Sequence, residues 1–361
     1  MWISGALGLR CATGQKRATS TVRMFRMRIL VAGSEGSLMQ RVIPLLLRRG
    51  HEVIGVDSFV RHGRIERKRE YEFVEGDLCD KDLVYDVCSG VEAIIQAAAR
   101  VYGVRGFHKY PADILSCDLQ AHHNLLQAAR KFAVKRFVYI SSSMVYERSE
   151  KIPSAEEDVD SVRVPRTAYG LSKLVGERLC QAFHQQYGLE YTIWRPFNII
   201  TPYEEAEPEP GMAHVFADFI HKIVVQKQNP MRIFGDGEQV RCFTWIDDVA
   251  YAIAEYSFID RTRCEVFNLG NPEPITMKDL ALRIFEKAKE RGLFEASAVL
   301  RFEHEPAYED DVRVRIPCID KARSVLGWTP TVSLDEALDR CVEEALCRVA
   351  RRNARANKET L

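Results

Sequence analysis

Residues 28–46 constrain the fold more than any other stretch of the chain, because they read as a strand, a glycine turn and a helix. The apolar run Arg28-Ile-Leu-Val-Ala32 ends at Gly33, and a second glycine, Gly36, follows it. From Leu38 onward, apolar residues recur at helical spacing. Turn glycines let a backbone approach a pyrophosphate, whose charge is favoured at the amide-rich start of a helix. The pattern predicts a dinucleotide-binding turn.

A second apolar strand, Glu52 to Val56, ends in Asp57, downstream of the glycine turn. A carboxylate at this place accepts hydrogen bonds from an adenosine ribose and repels a 2′-phosphate. We therefore predict that the dinucleotide is NAD and not NADP. The third glycine of the usual fingerprint is replaced by Met39, which we expect to move the helix outward slightly without abolishing the phosphate contact.

The same alternation of strands and helices continues through the first half of the chain. Apolar strands lead into Asp77 and Leu78, into Ala97 and Ala98, and into Ser141-Ser142-Ser143. Such alternation predicts an α/β fold, a Rossmann-type doubly wound parallel sheet, with ligands gathered at the carboxyl ends of the strands. We expect a smaller C-terminal substrate-binding region to complete it.

A hydroxyl, a phenol and an ammonium group occur in order at Ser142, Tyr169 and Lys173. The spacing of four residues puts Tyr169 and Lys173 on one face of a helix. A phenol with a pKa near 10 is a poor base at neutral pH, so a nearby ammonium is needed to favour the phenolate. We predict that this set removes a proton from an alcohol while a neighbouring nicotinamide takes the hydride.

Composition excludes several other classes of partner. Lys+Arg and Asp+Glu balance at 51 each, so no net charge attracts nucleic acid or an anionic membrane. No apolar run approaches the roughly 18 residues that span a bilayer. Ten cysteines include no C-x-x-C pair, and His122-His123 has no completing ligand nearby, so we expect no metal site and a cytoplasmic location.

The chain divides into four segments by composition and motif. Residues 1–26 are basic and lack acidic residues, which is typical of an organelle transit peptide; an upstream extension with the true start at Met24 or Met27 is the alternative. We predict an NAD-binding domain over residues 27–198 and a mostly substrate-binding region over 199–345, with some segments returning to the first domain. Residues 346–361 are predicted to be a basic tail or a solvated helix end.

Three motifs in the second half carry a family resemblance. Trp194-Arg-Pro-Phe-Asn198 resembles an R-x-F-N segment, Ile233 to Asp248 resembles a G-D-G-x-Q-x-R segment, and Lys321 to Pro330 resembles K-A-x-x-x-L-G-W-x-P. With the glycine turn and the Ser, Tyr and Lys set, they resemble the NAD-dependent nucleotide-sugar epimerases and dehydratases of the extended short-chain dehydrogenase/reductase family. The resemblance covers roughly residues 27–345.

The resemblance implies a role for individual residues. Tyr169 would be the general base, Lys173 would hold the ribose and lower the pKa of Tyr169, and Ser142 would hydrogen-bond the reacting hydroxyl. It also implies a nucleotide-sugar substrate and a homodimer built on the helix of Tyr169. The cofactor would be bound by Gly33, Gly36, Asp57, Asp77, Leu78, Ala97, Ala98, Tyr169 and Lys173, and the substrate by Ser143, Asn198, Arg241 and Arg313.

A narrower similarity is to the GDP-mannose 3,5-epimerases. It rests on the glycine-rich run from Tyr102 to Phe107 and on Val312-Arg-Val-Arg315. The reactive cysteine of those enzymes is Met144 here, and their lysine has no counterpart closer than His214. Because a thioether cannot exchange a proton, double epimerisation by that route is not expected.

Other departures keep alternative activities open. Dehydratases of the family carry Asp-Glu where this chain has Ser143-Met144. Asp118 stands where the family commonly has asparagine, Cys242 replaces an aspartate, and Glu147 is either a pocket carboxylate or an exposed loop residue. We interpret the chain as an epimerase that oxidises a sugar hydroxyl transiently. The alternatives are a dehydratase or decarboxylase, and a non-catalytic nucleotide- or RNA-binding protein.

Overall fold

The computed structural model describes residues 26–359, except residues 62, 65, 205, 207, 208, 210, 309 and 310. The prediction for residues 1–26 therefore lies outside the described residues, apart from residue 26.

The described part of the chain forms helices and strands in alternation. The strands are β1 (Arg28–Ala32), β2 (Glu52–Asp57), β3 (Glu72–Glu75), β4 (Ala93–Gln96), β5 (Arg136–Ile140), β6 (Tyr191–Pro196), β7 (Ile199–Ile200), β8 (Met231–Phe234), β9 (Val240–Cys242), β10 (Thr244–Trp245), β11 (Glu265–Leu269), β12 (Pro274–Thr276), β13 (Phe302–Glu305) and β14 (Val314–Arg315). The helices are α1 (Met39–Arg48), α2 (Lys81–Val87), α3 (Val104–Lys109), α4 (Pro111–Lys131), α5 (Ala168–Tyr187), α6 (Val215–Ile220), α7 (Ile246–Tyr256), α8 (Met277–Glu290) and α9 (Leu334–Glu359). Short helical turns cover Ser143–Tyr146, Glu156–Asp160, His221–Val225, Asp260–Thr262 and Ala322–Leu326.

Seven parallel strands form the central sheet, in the order β3-β2-β1-β4-β5-β6-β11. Strand order reverses between β1 and β4, which is the place where doubly wound folds bind dinucleotides. Strand β11 pairs with β6 after the chain has passed through residues 199–264. The predicted Rossmann-type α/β fold is confirmed.

Alternate residues of β1 enter two different cores, since successive side chains of a strand point to opposite faces. Ile29 and Val31 pack with α1 and α7, whereas Leu30 and Ala32 pack with α2, α4 and α5. Both faces are thus covered, which explains the apolar runs in the sequence. Met39, at the third position of the glycine fingerprint, is buried in the first of these cores.

A third core gathers the C-terminal elements. It contains apolar residues of α6, α8 and α9, and of β8. Smaller sheets lie beside it: β12-β9-β14, β13-β8 and β10-β7. Helix α9 continues to Glu359, so most of the segment predicted as a basic tail is helical. None of the described helices is both long enough and apolar enough to cross a membrane.

Candidate active site

One large cleft runs along the carboxyl ends of the central strands and reaches the C-terminal core. Its volume is about 1250 Å³, larger than the roughly 300–1,000 Å³ of most small-molecule sites. Almost every predicted site residue lines it, namely Gly33, Gly36, Asp57, Asp77, Leu78, Ala97, Ala98, Ser142, Ser143, Tyr169, Lys173, Asn198 and Arg241.

The glycine turn lies directly against the end of β4. Gly33 has a φ of +76°, and its N–H donates a hydrogen bond of 2.8 Å to the Val56 carbonyl. A Cβ atom at this position would lie 2.7 Å from the Ala98 nitrogen, which no side chain tolerates. The turn therefore requires glycine, and its backbone faces the cleft where a pyrophosphate fits.

Asp57 is fixed at the end of β2. One carboxylate oxygen accepts a hydrogen bond of 3.0 Å from the Glu35 N–H, and the other accepts one of 2.9 Å from the Phe59 N–H. Its position on the cleft wall fits a ribose-binding carboxylate. The arrangement suits NAD, as predicted from the sequence.

Glu35 ties the segment after β2 to the glycine turn, a feature that sequence reasoning missed. Its carboxylate accepts hydrogen bonds from Arg67 at 2.6 Å, Arg69 at 3.0 Å and the Tyr71 hydroxyl at 2.7 Å. Burial alone would raise the pKa of Glu35, but these donors outweigh it and leave the pKa below its ordinary value. We call Glu35, Arg67, Arg69 and Tyr71 the Glu35 clasp; two of them, Glu35 and Arg67, line the cleft.

Strand β5 and helix α5 bring the predicted catalytic set together. Tyr169 and Lys173 lie one turn apart near the start of α5, and both are buried. Lys173 Nζ donates a hydrogen bond of 3.0 Å to the Ile140 carbonyl at the end of β5. Ser142 follows two residues later and hydrogen-bonds Tyr169. The three groups therefore lie together on the wall of the cleft.

Burial has the largest effect on the pKa of Tyr169. Burial raises it to about 12; the hydrogen bond with Ser142 and the charge of Arg315 lower it, while the charge of Asp118 raises it. Burial also lowers the pKa of Lys173. Desolvation of the phenolate therefore dominates the pKa of Tyr169, and the lowering of this pKa by Lys173 stays a prediction.

Glu147 is neither a cleft residue nor an exposed one. Its carboxylate accepts hydrogen bonds from the Arg166 N–H at 2.9 Å and from the Thr167 hydroxyl at 2.6 Å. Thr167 in turn caps α5, accepting a hydrogen bond of 3.1 Å from the Gly170 N–H. A carboxylate is favoured beside a helix start, so Glu147 fixes the turn that carries Tyr169.

A buried ion pair lies next to the predicted catalytic set. Arg195 of the R-P-F-N motif contacts both carboxylate oxygens of Glu177, at 2.8 and 2.6 Å. Ser141 donates a further hydrogen bond of 2.5 Å to Glu177. Because Arg195 and Glu177 join β6 to α5, this motif arginine holds the two elements together and does not face the cleft.

Two guanidinium groups also line the cleft. Arg241 pairs with Asp311 at 2.8 Å. Arg315 donates a hydrogen bond of 2.6 Å to Asn198 and contacts the Met144 thioether, and it has no carboxylate partner among the described residues. Burial and the charge of Arg241 lower the pKa of Arg315 to about 9. Two cations with one carboxylate leave an excess of positive charge, which suits an anionic ligand.

Arg313 lies outside the cleft, although it was predicted from the family resemblance to bind the substrate. Its guanidinium contacts both oxygens of Asp236 at 2.8 Å, its side chain is 60% exposed, and it is not part of the cleft lining. Arg315, two residues later, lies in the cleft instead. Both arginines belong to one Val-Arg-Val-Arg element, so the sequence carries no signal that distinguishes them.

Cys242 has a packing role. It is fully buried, and its carbonyl accepts a hydrogen bond of 2.8 Å from Asn198. Burial raises the pKa of its thiol to about 12.

The glycine-rich run crosses from the central sheet to the substrate side. The Gly103 N–H donates a hydrogen bond of 2.7 Å to the Met212 carbonyl. The Phe107 ring then stacks on Tyr169, with centroids 5.0 Å apart and planes at 6°. His214, at the same side of the cleft, pairs with Glu204 at 2.8 Å. The contact of Phe107 with Tyr169 was not predicted from the sequence, although the glycine-rich run that contains Phe107 was recognised as a motif.

Comparison with known proteins identifies the class. The model of the NAD-dependent epimerase/dehydratase family matches residues 29–270. The chain therefore belongs to the NAD-dependent epimerase/dehydratase family, which confirms both the family resemblance and NAD as the cofactor. The glycine turn, Asp57 and the small residues at the end of β4 would hold NAD in the cleft.

Particular relatives extend over nearly the whole chain. A UDP-glucuronate 4-epimerase of Thermodesulfobacterium geofontis is 30% identical over 326 residues, which are 87% of this chain and 94% of the relative. The structure of Thermotoga maritima UDP-glucose 4-epimerase with UDP-glucose aligns with a TM-score of 0.74 at 30% identity, covering 89% of this chain and 99% of that one. Thermus thermophilus UDP-glucose 4-epimerase in complex with NAD aligns with a TM-score of 0.76 at 25% identity, covering 88% and 99%. The narrower similarity to GDP-mannose 3,5-epimerases is not confirmed and stays a prediction.

Proposed function

We propose that the protein is a nucleotide-sugar epimerase that oxidises a sugar hydroxyl transiently and then reduces it from the opposite face. The observation that carries this proposal is a single cleft lined both by the set Ser142, Tyr169 and Lys173 and by the pair Arg241 and Arg315. The first set handles the proton of an alcohol. The two arginines bind the diphosphate of the substrate, and this holds the sugar hydroxyl beside the first set.

Tyr169 acts as the base in this mechanism, and Ser142 holds the reacting hydroxyl. When bound, NAD would supply the hydride acceptor for this chemistry and a positive charge at the site. Because burial raises the pKa of Tyr169 to about 12, the phenol is protonated in the free protein at neutral pH. Positive charge beside it is therefore required for proton transfer, and Arg315, whose charge lowers the pKa of Tyr169, supplies a share that comes from the protein.

Arg241 and Arg315 provide the electrostatic fit to a diphosphate. The guanidinium fork of arginine matches phosphate oxygens, and the pair has only one carboxylate, Asp311, to balance it. Asn198 holds Arg315 in place through its side-chain oxygen. Relatives whose names give UDP-glucose or UDP-glucuronate as the epimerised sugar support a nucleotide-sugar substrate.

The proposal is tested by incubating the purified protein with a panel of UDP-, GDP-, CDP- and dTDP-linked sugars and identifying the products by mass and NMR. The expected result is a sugar of unchanged mass with one inverted carbon. Loss of water or of carbon dioxide would favour the dehydratase or decarboxylase alternative. Absence of bound NAD together with no binding of any nucleotide sugar would support the non-catalytic alternative.

We also propose that α5 forms part of a homodimer interface in a cytoplasmic protein. Leu171 and Val175 are only half-buried within the chain although they lie on the same helix as the buried Tyr169. Light scattering during size-exclusion chromatography tests the dimer. A monomeric mass at micromolar concentration would contradict it.

A further inference from the structure

Lys173 is a buried cation without a direct carboxylate partner. It is 4% exposed, and its ammonium donates to the Ile140 carbonyl. In the described part of the chain no carboxylate oxygen lies within 4.0 Å of it. Since burial of an unbalanced charge is costly, a nearby negative charge is needed to keep the group an ammonium ion.

Two carboxylates act on Lys173 from a greater distance, Asp118 and Glu177. Both oxygens of Glu177 are engaged by Arg195, so its charge is already balanced. The hydrogen-bond partners of Asp118 are neutral: the Arg100 backbone N–H at 2.9 Å and the Ser172 hydroxyl at 3.4 Å. Burial raises the pKa of Asp118, against the lowering effect of Lys173 and of its hydrogen bonds; in its ionised form, Asp118 is the carboxylate whose charge remains available to Lys173.

The packing of α4 on α5 places Asp118 beside the catalytic set. Asp118 is 9% exposed, and it lines the same cleft as Tyr169 and Lys173. Its neighbour in space, Ser172, is the residue that precedes Lys173 on α5. A charge at this place acts on both Tyr169 and Lys173, and in a low-dielectric site such an effect is large.

We propose that Asp118 is a positioning residue, whose carboxylate supplies the counter-charge for Lys173 and moves the working pH range of Tyr169 upward. This inference rests on the proposed function, because it assigns the residue a part in the same proton transfer.

Other titratable groups around the pair do not replace Asp118. His122 on α4 and Tyr139 on β5 are uncharged, since burial lowers the pKa of His122 to about 3 and raises that of Tyr139. Arg315 acts on Tyr169 from β14 with the opposite sign. The Arg100 side chain, which lies near Asp113 at 3.8 Å, acts on Asp118 itself.

The variant Asp118→Asn tests the proposal through the pH profile of kcat/KM. The limb of the profile in which kcat/KM rises with pH reports loss of a proton from Tyr169. The limb in which kcat/KM falls at higher pH reports loss of the Lys173 proton. A negative charge raises the pKa of both groups, so its removal is expected to shift both limbs to lower pH by about one unit. Ser172→Ala is the matched control, because it removes a neutral partner of Asp118 and should leave both limbs in place.

A second readout does not depend on turnover. In protein labelled with ¹³C at the tyrosine ζ-carbon, the Tyr169 resonance is identified by its loss in Tyr169→Phe and is titrated with and without the Asp118→Asn change. The titration is expected to begin at lower pH in the variant. Asp118→Ser serves as a second uncharged variant if the asparagine variant does not fold.

The outcomes separate the two proposals. An unmoved resonance and unmoved limbs in folded variants would overturn the role of Asp118. Reduced activity at every pH with unshifted limbs would also overturn it, since this would be a structural effect. If the wild-type protein turns over no nucleotide sugar, the proposed function fails, while the resonance still decides whether Asp118 acts on Tyr169.

Discussion

The two ends of the cleft are built in different ways. At the dinucleotide end, site residues follow directly after β1, β2 and β4, so the sheet itself aligns them. At the substrate end, Arg241 and Arg315 come from the short strands β9 and β14, which pair with each other. A continuous parallel sheet fixes positions through its register, whereas the residues of these short strands are fixed by individual side-chain contacts, with Asp311 for Arg241 and with Asn198 for Arg315. The substrate end is therefore the part that differs most from sequence expectations.

The largest effect should come from the junction of the two ends, at Tyr169. Tyr169→Phe is expected to lower kcat by about 10²- to 10⁴-fold, because it removes the general base, while NAD stays bound. Steady-state kinetics and the NAD content of the purified variant measure this. Tyr203→Phe is the control, since Tyr203 lines the cleft but is 59% exposed. Full activity in Tyr169→Phe would contradict the proposal that Tyr169 is the general base.

The substrate end is tested by comparing two arginines of the same element. Arg315→Gln is expected to lower kcat/KM by about 10- to 100-fold, because hydrogen bonds to a charged group contribute about 1.5–3 kcal/mol. Arg313→Gln should leave kcat/KM nearly unchanged, since its exposed pair with Asp236 lies outside the cleft. Equal effects of the two substitutions would mean that the cleft is formed differently in the working enzyme.

Much of the dinucleotide end could be predicted from the sequence. Gly33, Asp57 and Ala98 fall at strand ends, and strand ends are visible as transitions from apolar to polar or small residues. The pair Tyr169 and Lys173 was predicted from helical spacing. Such features depend on local periodicity, which a sequence carries directly.

The substrate end could not be predicted to the same depth. Arg313 and Arg315 have the same local pattern, and only their distant partners, Asp236 for Arg313 and Asn198 for Arg315, separate them. The raised pKa of Tyr169 could not be predicted either, because it depends on burial by residues far along the chain. The fold class follows from local patterns, whereas charge balance depends on tertiary contacts.

A smaller effect is expected where helix α5 begins. Glu147→Gln should lower the free energy of unfolding by about 1–2 kcal/mol, because it weakens charge-assisted hydrogen bonds to the Thr167 cap. It should also lower kcat more than it raises KM, since Tyr169 lies in the first turn. Denaturant unfolding and steady-state kinetics measure both quantities, with the exposed Glu157→Gln as control. Unchanged stability would show that the cap does not depend on Glu147.

The smallest effect concerns the Glu35 clasp at the dinucleotide end. Glu35→Gln is expected to speed NAD dissociation by about three- to tenfold, since weakened hydrogen bonds loosen the segment that carries Arg67. Stopped-flow fluorescence of NAD release measures the rate. An unchanged rate would mean that the clasp does not retain the cofactor.

The clasp also predicts a pH dependence of stability. The pKa of Glu35 is lowered in the folded protein, so its contribution to the free energy of unfolding is complete above the unfolded pKa of about 4.3. It is lost as the pH falls through the lowered folded pKa. The difference in stability between the wild type and Glu35→Gln should therefore be constant near neutral pH and shrink in acid. A difference that grew in acid would contradict the assignment.

The most direct test of transient oxidation uses UDP-glucose and UDP-glucuronate carrying deuterium at C4, the carbon that the named relatives invert. With the protein as purified, product NMR should show an inverted C4 that keeps its deuterium, because the hydride leaves and returns within one active site. The rate should be slower than with the unlabelled sugar. Inversion with loss of the C4 deuterium to the solvent would contradict hydride transfer and, with it, the central role of Tyr169.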